Sequence, residues 1–281
     1  MLYEPIIFLL GLATGSFLNV VICRLETGEG IVKSRSHCPK CGHILIWRDL
    51  VPIFNFIWLK GKCRYCQEPI SWQYPIVEIA TASLFLLISN FQFPISKEFP
   101  IFNFQKLVFI LYCLILICSF IIIFVYDLKH YLIPDKIIYP AIGIALFYRI
   151  IRIVEAFDFS LASLGFRSGN NLYPELVEGF YCLLSALAAA AFFLSLVFVT
   201  KGKGMGLGDV KLAFFIGLVL GWPQILLALF LAFLSGALVG LGFIAFGAKT
   251  LKSQIPFGPF LAASTVFVMM LGERILNFFA F

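Results

Sequence analysis

Two sets of side chains in this sequence have the types and spacing to do chemistry. The first is a pair of aspartates at the ends of apolar runs. Asp127 closes Ile121-Ile-Ile-Phe-Val-Tyr-Asp127, and Asp209 opens another run in Gly206-Leu-Gly-Asp-Val-Lys-Leu212. An ionisable group at the edge of a membrane segment costs free energy, so its presence calls for a reason. Two carboxylates in contact cannot both ionise easily and share one proton. One then takes a proton from water while the other donates to a carbonyl oxygen. That is peptide hydrolysis without a covalent intermediate. Gly206 and Gly208 would let a substrate backbone come close, and Lys211 either biases the local field or snorkels to the interface. Simple capping competes with this reading. Asp209 suits the start of a helix, where negative charge is favoured, whereas Asp127 stands at a helix C-terminus, where it is disfavoured. Capping therefore accounts for one aspartate and leaves the other unexplained.

Two further carboxylates lie near these runs. Asp135 follows Pro134, and a proline and an aspartate in a first helical turn are ordinary, so a structural role is expected. Glu78 stands a turn into an apolar stretch after Tyr74-Pro75. It either pairs with a base inside the bundle or tunes the aspartate site.

The second set is Cys38-Pro-Lys-Cys41 and Cys63-Arg-Tyr-Cys66, two C-x-x-C pairs with 21 residues between them. The two-residue gap lets both thiolates of a pair point at one ion, and four cysteines fill a tetrahedral zinc site with no open catalytic position. Gly42 and Gly61 ease the turns. His37 and His43 are adjacent but not needed as ligands. The loop is too short for a sizeable core, and a metal staple is what it would need to fold. Between the pairs runs Trp47-Arg-Asp-Leu-Val-Pro-Ile-Phe-Asn-Phe-Ile-Trp58, amphipathic and aromatic, suited either to the membrane surface or to packing under the knuckles. The other four cysteines, Cys23, Cys113, Cys118 and Cys182, read as small packing residues.

The elements that must position these groups are membrane helices. Of 281 residues, 61% are hydrophobic and 13% charged, and 33 are Phe. A soluble domain of this length needs more polar surface. The sequence predicts an all-α polytopic membrane protein with about eight transmembrane helices: Pro5–Cys23, Tyr74–Phe93, Gln105–Tyr126, Ile133–Ile153, Glu178–Thr200, Leu207–Trp222, Gln224–Gly247 and Pro256–Phe279. The organisation is then a first helix at 1–23, a zinc-stapled loop domain at 24–73, and a seven-helix membrane domain at 74–281. The start lacks a basic region and a cleavage site, so the first segment is expected to be retained. Residues 155–177, rich in Gly, Asn and Ser, read as a flexible polar loop.

The net charge of +6 reads as topology before it reads as nucleic-acid affinity, and no nucleic-acid partner is expected. Loop 24–73 and the loops carrying Lys129, then Lys201, Lys203 and Lys211, then Lys249 and Lys252 fall on one side, which is cytoplasmic. The aspartates then lie at the cytoplasmic edge and both termini face outward. Arg149 and Arg152 go against this trend, as snorkelling side chains would. The glycine-dense Lys201–Gly208 lacks the ending of a phosphate-binding loop.

These residues also resemble a known family. Asp127-Leu-Lys-His-Tyr-Leu-Ile-Pro-Asp135 and Gly206-Leu-Gly-Asp209 look like the two signature motifs of bacterial type IV prepilin peptidases, which are G-x-G-D intramembrane aspartic proteases. Three more stretches agree: Gly15-Ser-Phe-Leu-Asn-Val-Val-Ile-Cys-Arg24, the C-x-x-C loop running into Ile70-Ser-Trp-Gln-Tyr-Pro-Ile-Val-Glu78, and Ile255-Pro-Phe-Gly-Pro-Phe-Leu261. The resemblance implies that Asp127 and Asp209 are the catalytic aspartates and that Asp135 is not. It implies cleavage of the basic leader from prepilins and pseudopilins before their apolar helix, between Gly and Phe, in the bacterial inner membrane. The four-cysteine loop resembles members that also N-methylate the new amine with S-adenosylmethionine. A basic leader would be recognised by local acids, for which Glu26, Glu29, Asp49 and Glu68 are candidates. Two rivals stand beside this reading. A related G-x-G-D protease would not explain the cysteine loop. A transporter would place its carboxylates near the bilayer midplane.

Overall fold

The computed structural model describes residues 3–28, 30, 35–90, 104–163, 174–202, 205–246 and 255–279. Its described residues are helical apart from loops, turns and two isolated β-bridges. They divide into two compact units, Met1–Ile122 and Ile123–Phe281.

In the first unit, α1 (Tyr3–Thr27) packs along α3 (Gln73–Asn90). The close approach is made by glycines. A Cβ on Gly11 would lie 2.5 Å from the Cα of Ala82, and one on Gly15 would lie 2.7 Å from the Cα of Glu78. This is small-residue packing of the kind that joins helices in lipid, where burying apolar surface gives no driving force between helices. The contacts pair rising numbers on α1 with falling numbers on α3, so the helices are antiparallel. Asn19 ties their polar ends, its amide donating to the Tyr74 carbonyl at 3.1 Å. Between α1 and α3 lie a 3-10 turn, Trp47–Leu50, and the short helix α2, Phe54–Trp58. Helix α4 (Phe104–His130) begins in this unit and ends in the second.

The second unit holds the end of α4 and helices α5 (Asp135–Ser163), α6 (Pro174–Val199), α7 (Leu207–Leu220), α8 (Gln224–Ala245) and α9 (Gly258–Phe279). The core element is α7. It is apolar on every side, and its residues from Leu212 to Leu220 include eight that are buried, as expected for a helix with no polar face. Gly217 lets the backbone of α6 reach it at Ala186, and Gly221, at φ 70°, turns the chain where a Cβ would strike the Cys182 sulfur at 2.6 Å. The last carbonyls of α7 are capped from α5: the Arg149 guanidinium donates to Leu218 O at 3.0 Å and Val219 O at 2.7 Å. Arg149 therefore spends its charge on a helix C-terminus, where a cation is favoured, which explains why it departs from the loop-charge trend.

Each of the eight predicted segments coincides with a helix, and among the described residues six helices are long and apolar enough to cross a membrane: α1, α4, α5, α6, α8 and α9. The other two are α3, described only to Asn90, and α7, whose 14 residues extend about 21 Å against a hydrocarbon core of about 30 Å. The flexible loop expected at 155–177 is shorter than the sequence indicated. Residues 155–163 continue α5 and 174–177 belong to α6, while 164–173 lie outside the described residues. Polar composition misled there because a helix that has left the hydrocarbon gains nothing by staying apolar.

Candidate active site and metal centre

Asp127 is buried near the end of α4, and its surroundings answer the objection raised by its position. Its carboxylate accepts the backbone N–H of Gly258, the first residue of α9. The C-terminal end of its own helix disfavours the charge, but the N-terminal end of another helix faces it and favours it. The approach is close: a Cβ on residue 258 would lie 2.5 Å from Asp127 Oδ2, so any other side chain there would displace the carboxylate. The preceding Phe257 is anchored in an aromatic cluster, 4.9 Å from the Phe233 ring and 6.2 Å from the fully buried Phe193 ring. Packing of α6, α8 and α9 thus sets where that N–H points.

Asp209 lies in the first turn of α7 and accepts the Gly206 N–H at 3.2 Å. The N-cap is Gly206 and Asp209 stands three residues on, so it closes the first turn by bonding back to the N-cap amide and is not itself the N-cap that the capping alternative expected. The two carboxylates also lie close enough to interact electrostatically. Each sits at a helix N-terminus, α9 for Asp127 and α7 for Asp209, so two positive helix ends converge on the pair.

The neighbouring residues take distinct places. Gly206 keeps an open side: a Cβ there would meet only the Gly208 nitrogen, at 3.8 Å. Gly208 is closed, because its Cβ would come within 3.2 Å of Ile133. This second glycine packs the start of α7 against the Ile133-Pro134-Asp135 stretch. Lys211 pairs with Asp135 at 2.6 Å and lies over the Tyr139 ring at 4.9 Å, so its charge is met by Asp135. That pair joins the starts of α5 and α7, with Asp135 in the first turn of α5.

Glu78 belongs to the first unit. It is buried, hydrogen bonded to Ser16, and accepts the Ile53 N–H at 2.8 Å. Ile53 has φ 57° and ψ −49°, a γ-turn conformation closed by Phe54 N–H on Pro52 O and rare for a β-branched residue, and the Glu78 bond holds it. Glu78 is thus a latch between α3 and the cysteine loop, which neither sequence reading of it foresaw, because its partner is a backbone amide.

The four cysteines come together. The sulfurs of Cys38, Cys41, Cys63 and Cys66 all lie within 4.8 Å of one another, with Cys38 and Cys66 at 3.9 Å. Tetrahedral zinc–thiolate bonds of about 2.3 Å set sulfurs about 3.8 Å apart, so the cluster fits such an ion. The two knuckles repeat one design. Gly42 N–H donates to Cys38 O at 2.9 Å and Gln67 N–H to Cys63 O at 3.0 Å, with left-handed φ of 68° at Gly42 and 61° at Gln67. The thiols divide their charge unequally. Burial raises Cys38, but the N–H groups of Cys41 and Lys40 and the neighbouring thiols outweigh it and bring it down to about 7. At Cys66 the Glu68 N–H lowers the pKa, but burial and the other three thiols push it up to about 12. A divalent cation is what lets such a set ionise together. His43 instead stacks on Tyr65 at 3.6 Å. Two of the acids considered for leader recognition are occupied: Asp49 by Arg64 at 2.9 Å and Tyr65 at 3.1 Å, and Glu68 by Lys40 at 3.6 Å. Glu29 lies outside the described residues.

Two family models match the chain: the bacterial peptidase A24 N-terminal domain over residues 9–91, and the type IV leader peptidase family over residues 114–241. Among curated relatives, the prepilin leader peptidase/N-methyltransferase of Bacillus subtilis is 32% identical over 98% of this chain and 96% of its own length. That of Aeromonas hydrophila is 29% identical over 99% and 94%, and that of Pseudomonas aeruginosa 30% over 95% and 90%. No solved structure matches the chain.

Proposed function

We propose that this chain, which belongs to the type IV leader peptidase family, cleaves the leader from prepilins and pseudopilins with Asp127 and Asp209 sharing one proton. The observation that carries this reading is the convergence of the two carboxylates at the N-terminal ends of α7 and α9. One carboxylate, ionised, takes a proton from water as the water oxygen bonds to the scissile carbonyl carbon. The other gives its proton to the carbonyl oxygen. The tetrahedral species then collapses: one carboxyl gives its proton to the leaving nitrogen as the C–N bond breaks, and the other takes a hydroxyl proton as the C=O re-forms, so the pair again holds one proton. The Gly258 and Gly206 amides hold the charge that remains on the carboxylates, which needs no reorganisation during the reaction. The open side of Gly206 gives the substrate backbone room.

Loop basicity supports a site at the cytoplasmic edge of the inner membrane, with both termini on the periplasmic side. Cys38, Cys41, Cys63 and Cys66 would hold a structural zinc ion, whose chemistry is to staple the loop. The relatives' name supports N-methylation of the new amine, with S-adenosylmethionine as the methyl donor.

The test is cleavage of a synthetic prepilin segment with a Gly–Phe junction by the protein in liposomes, followed by mass spectrometry with the methyl donor present. Cleavage at the junction and a gain of one methyl on the mature product are expected. A folded, zinc-loaded protein that leaves the peptide intact would overturn the reading and favour the transporter.

A further inference from the structure

We propose that the outward face of α2, inside the cysteine loop, sits in the headgroup layer of the bilayer that α1 enters. The inference is independent of the peptidase reading.

Its first support is depth. Gly15, near the middle of α1, lies against Glu78 of α3. Arg24, the first charged residue after Glu4 in α1, is nine residues further on, or about 13 Å along the helix. The cysteine loop is tied to the bundle at Ile53, whose N–H bonds the Glu78 carboxylate at 2.8 Å. Glu78 lies only five residues, about 7.5 Å, inside the start of α3 at Gln73, and a helical side chain tilts back toward the N-terminus of its helix, so the start of α2 lies beside the first turns of α3. It does not stand out in water past the charged end of the α1–α3 pair.

The second support is the face that α2 presents at that depth. Phe54, Ile57 and Trp58 follow the i, i+3, i+4 spacing of one helical face and are 63%, 68% and 73% exposed. The opposite residue, Phe56, turns inward and meets Trp72 edge to face at 5.0 Å. Trp72 immediately precedes α3, where tryptophan marks the membrane–water boundary.

The third support is charge. Lys60 and Lys62 follow the apolar face, and Arg48 lies over the Trp47 ring at 5.3 Å. Aromatic side chains flanked by cations match the headgroup layer, where rings enter the acyl boundary and cations meet phosphates. A soluble partner would need this face turned away from the bilayer, and the Ile53–Glu78 bond holds it level with the membrane helices.

The experiment compares tryptophan emission of the wild type and Trp58→Phe in liposomes, with the other three tryptophans in place and zinc content measured to confirm an intact loop. The difference between the two isolates Trp58. The expected result is an emission component that bromine on the upper acyl chain quenches, that aqueous iodide does not reach, and that Trp58→Phe removes. In Phe54→Ser/Ile57→Ser, with zinc retained, the same component should lose its sensitivity to bromine. If the component is quenched by iodide and untouched by brominated lipid, the face is open to water and to a soluble partner, and the proposal fails.

Discussion

The cysteine cluster and the aspartate pair are built in opposite ways. The four sulfurs come from two short knuckles, each with its own backbone bonds, Gly42 to Cys38 and Gln67 to Cys63. Local spacing does nearly all of that work, and a bound cation would supply the rest. The aspartates come from α4 and α7, and the group that receives Asp127 comes from α9. Asp209 is held locally by the Gly206 amide, but Asp127 has its partner on another helix, and the two meet only when the helices pack. A locally built site is read from spacing and stands or falls with its ion. A site assembled over long range depends on close approaches that spacing does not announce.

The largest effects should come from the assembled site. Asp127→Asn or Asp209→Asn should each reduce leader cleavage by about 10²–10⁴-fold, the span typical of losing a general acid or base, with folding and zinc content unchanged. Gly258→Ala tests the long-range assembly directly. The added methyl meets Oδ2 of Asp127, so kcat should fall about 10²-fold, the scale of an ångström-sized misplacement, and KM should change much less. An unchanged kcat would mean that the α9 N-terminus does not hold Asp127.

The local site should respond to its ion. Cys63→Ser or a strong chelator should remove zinc and expose the knuckle amides of Gly42 and Gln67 to hydrogen exchange. The helices of the second unit should keep their circular dichroism. Zinc should also be lost as pH falls, because its ligands must be thiolates and protons compete for them. The latch residue comes next. Glu78→Ala leaves the Ile53 N–H without its acceptor and should cost about 1–3 kcal/mol, read as easier loosening of the cysteine loop from α3. The smallest effect belongs to Lys211→Ala. Its partially exposed pair with Asp135 should be worth about 1 kcal/mol or less, and cleavage should persist.

Much of this was legible in the sequence, and the reasons differ by residue. Apolar runs mark helices because lipid allows little else, so the eight segments coincide with helices. Hydropathy does not report length, which is why α7 reads like the other segments although its helix has 14 residues. C-x-x-C spacing gave the sulfur cluster because a knuckle is a local object. The motif around Asp127 and Asp209 was visible, but the partners were not. Gly258, Gly206 and Ile53 act through backbone N–H groups, which every non-proline residue carries. The nearest signal for Gly258 was its motif, Pro256-Phe-Gly-Pro259, at the start of an apolar run. Arg149 looked like a topological exception because its partners are the carbonyls at the end of α7, 69 and 70 residues away.

The central claim is that Asp127 and Asp209 act as one unit. Cleavage rates of the wild type, Asp127→Asn, Asp209→Asn and the double variant in liposomes test it most directly. Groups that share one step are strongly non-additive. The account predicts that the double variant is no slower than the slower single variant. Losses that multiply, or a single variant that cleaves at the wild-type rate, would contradict it.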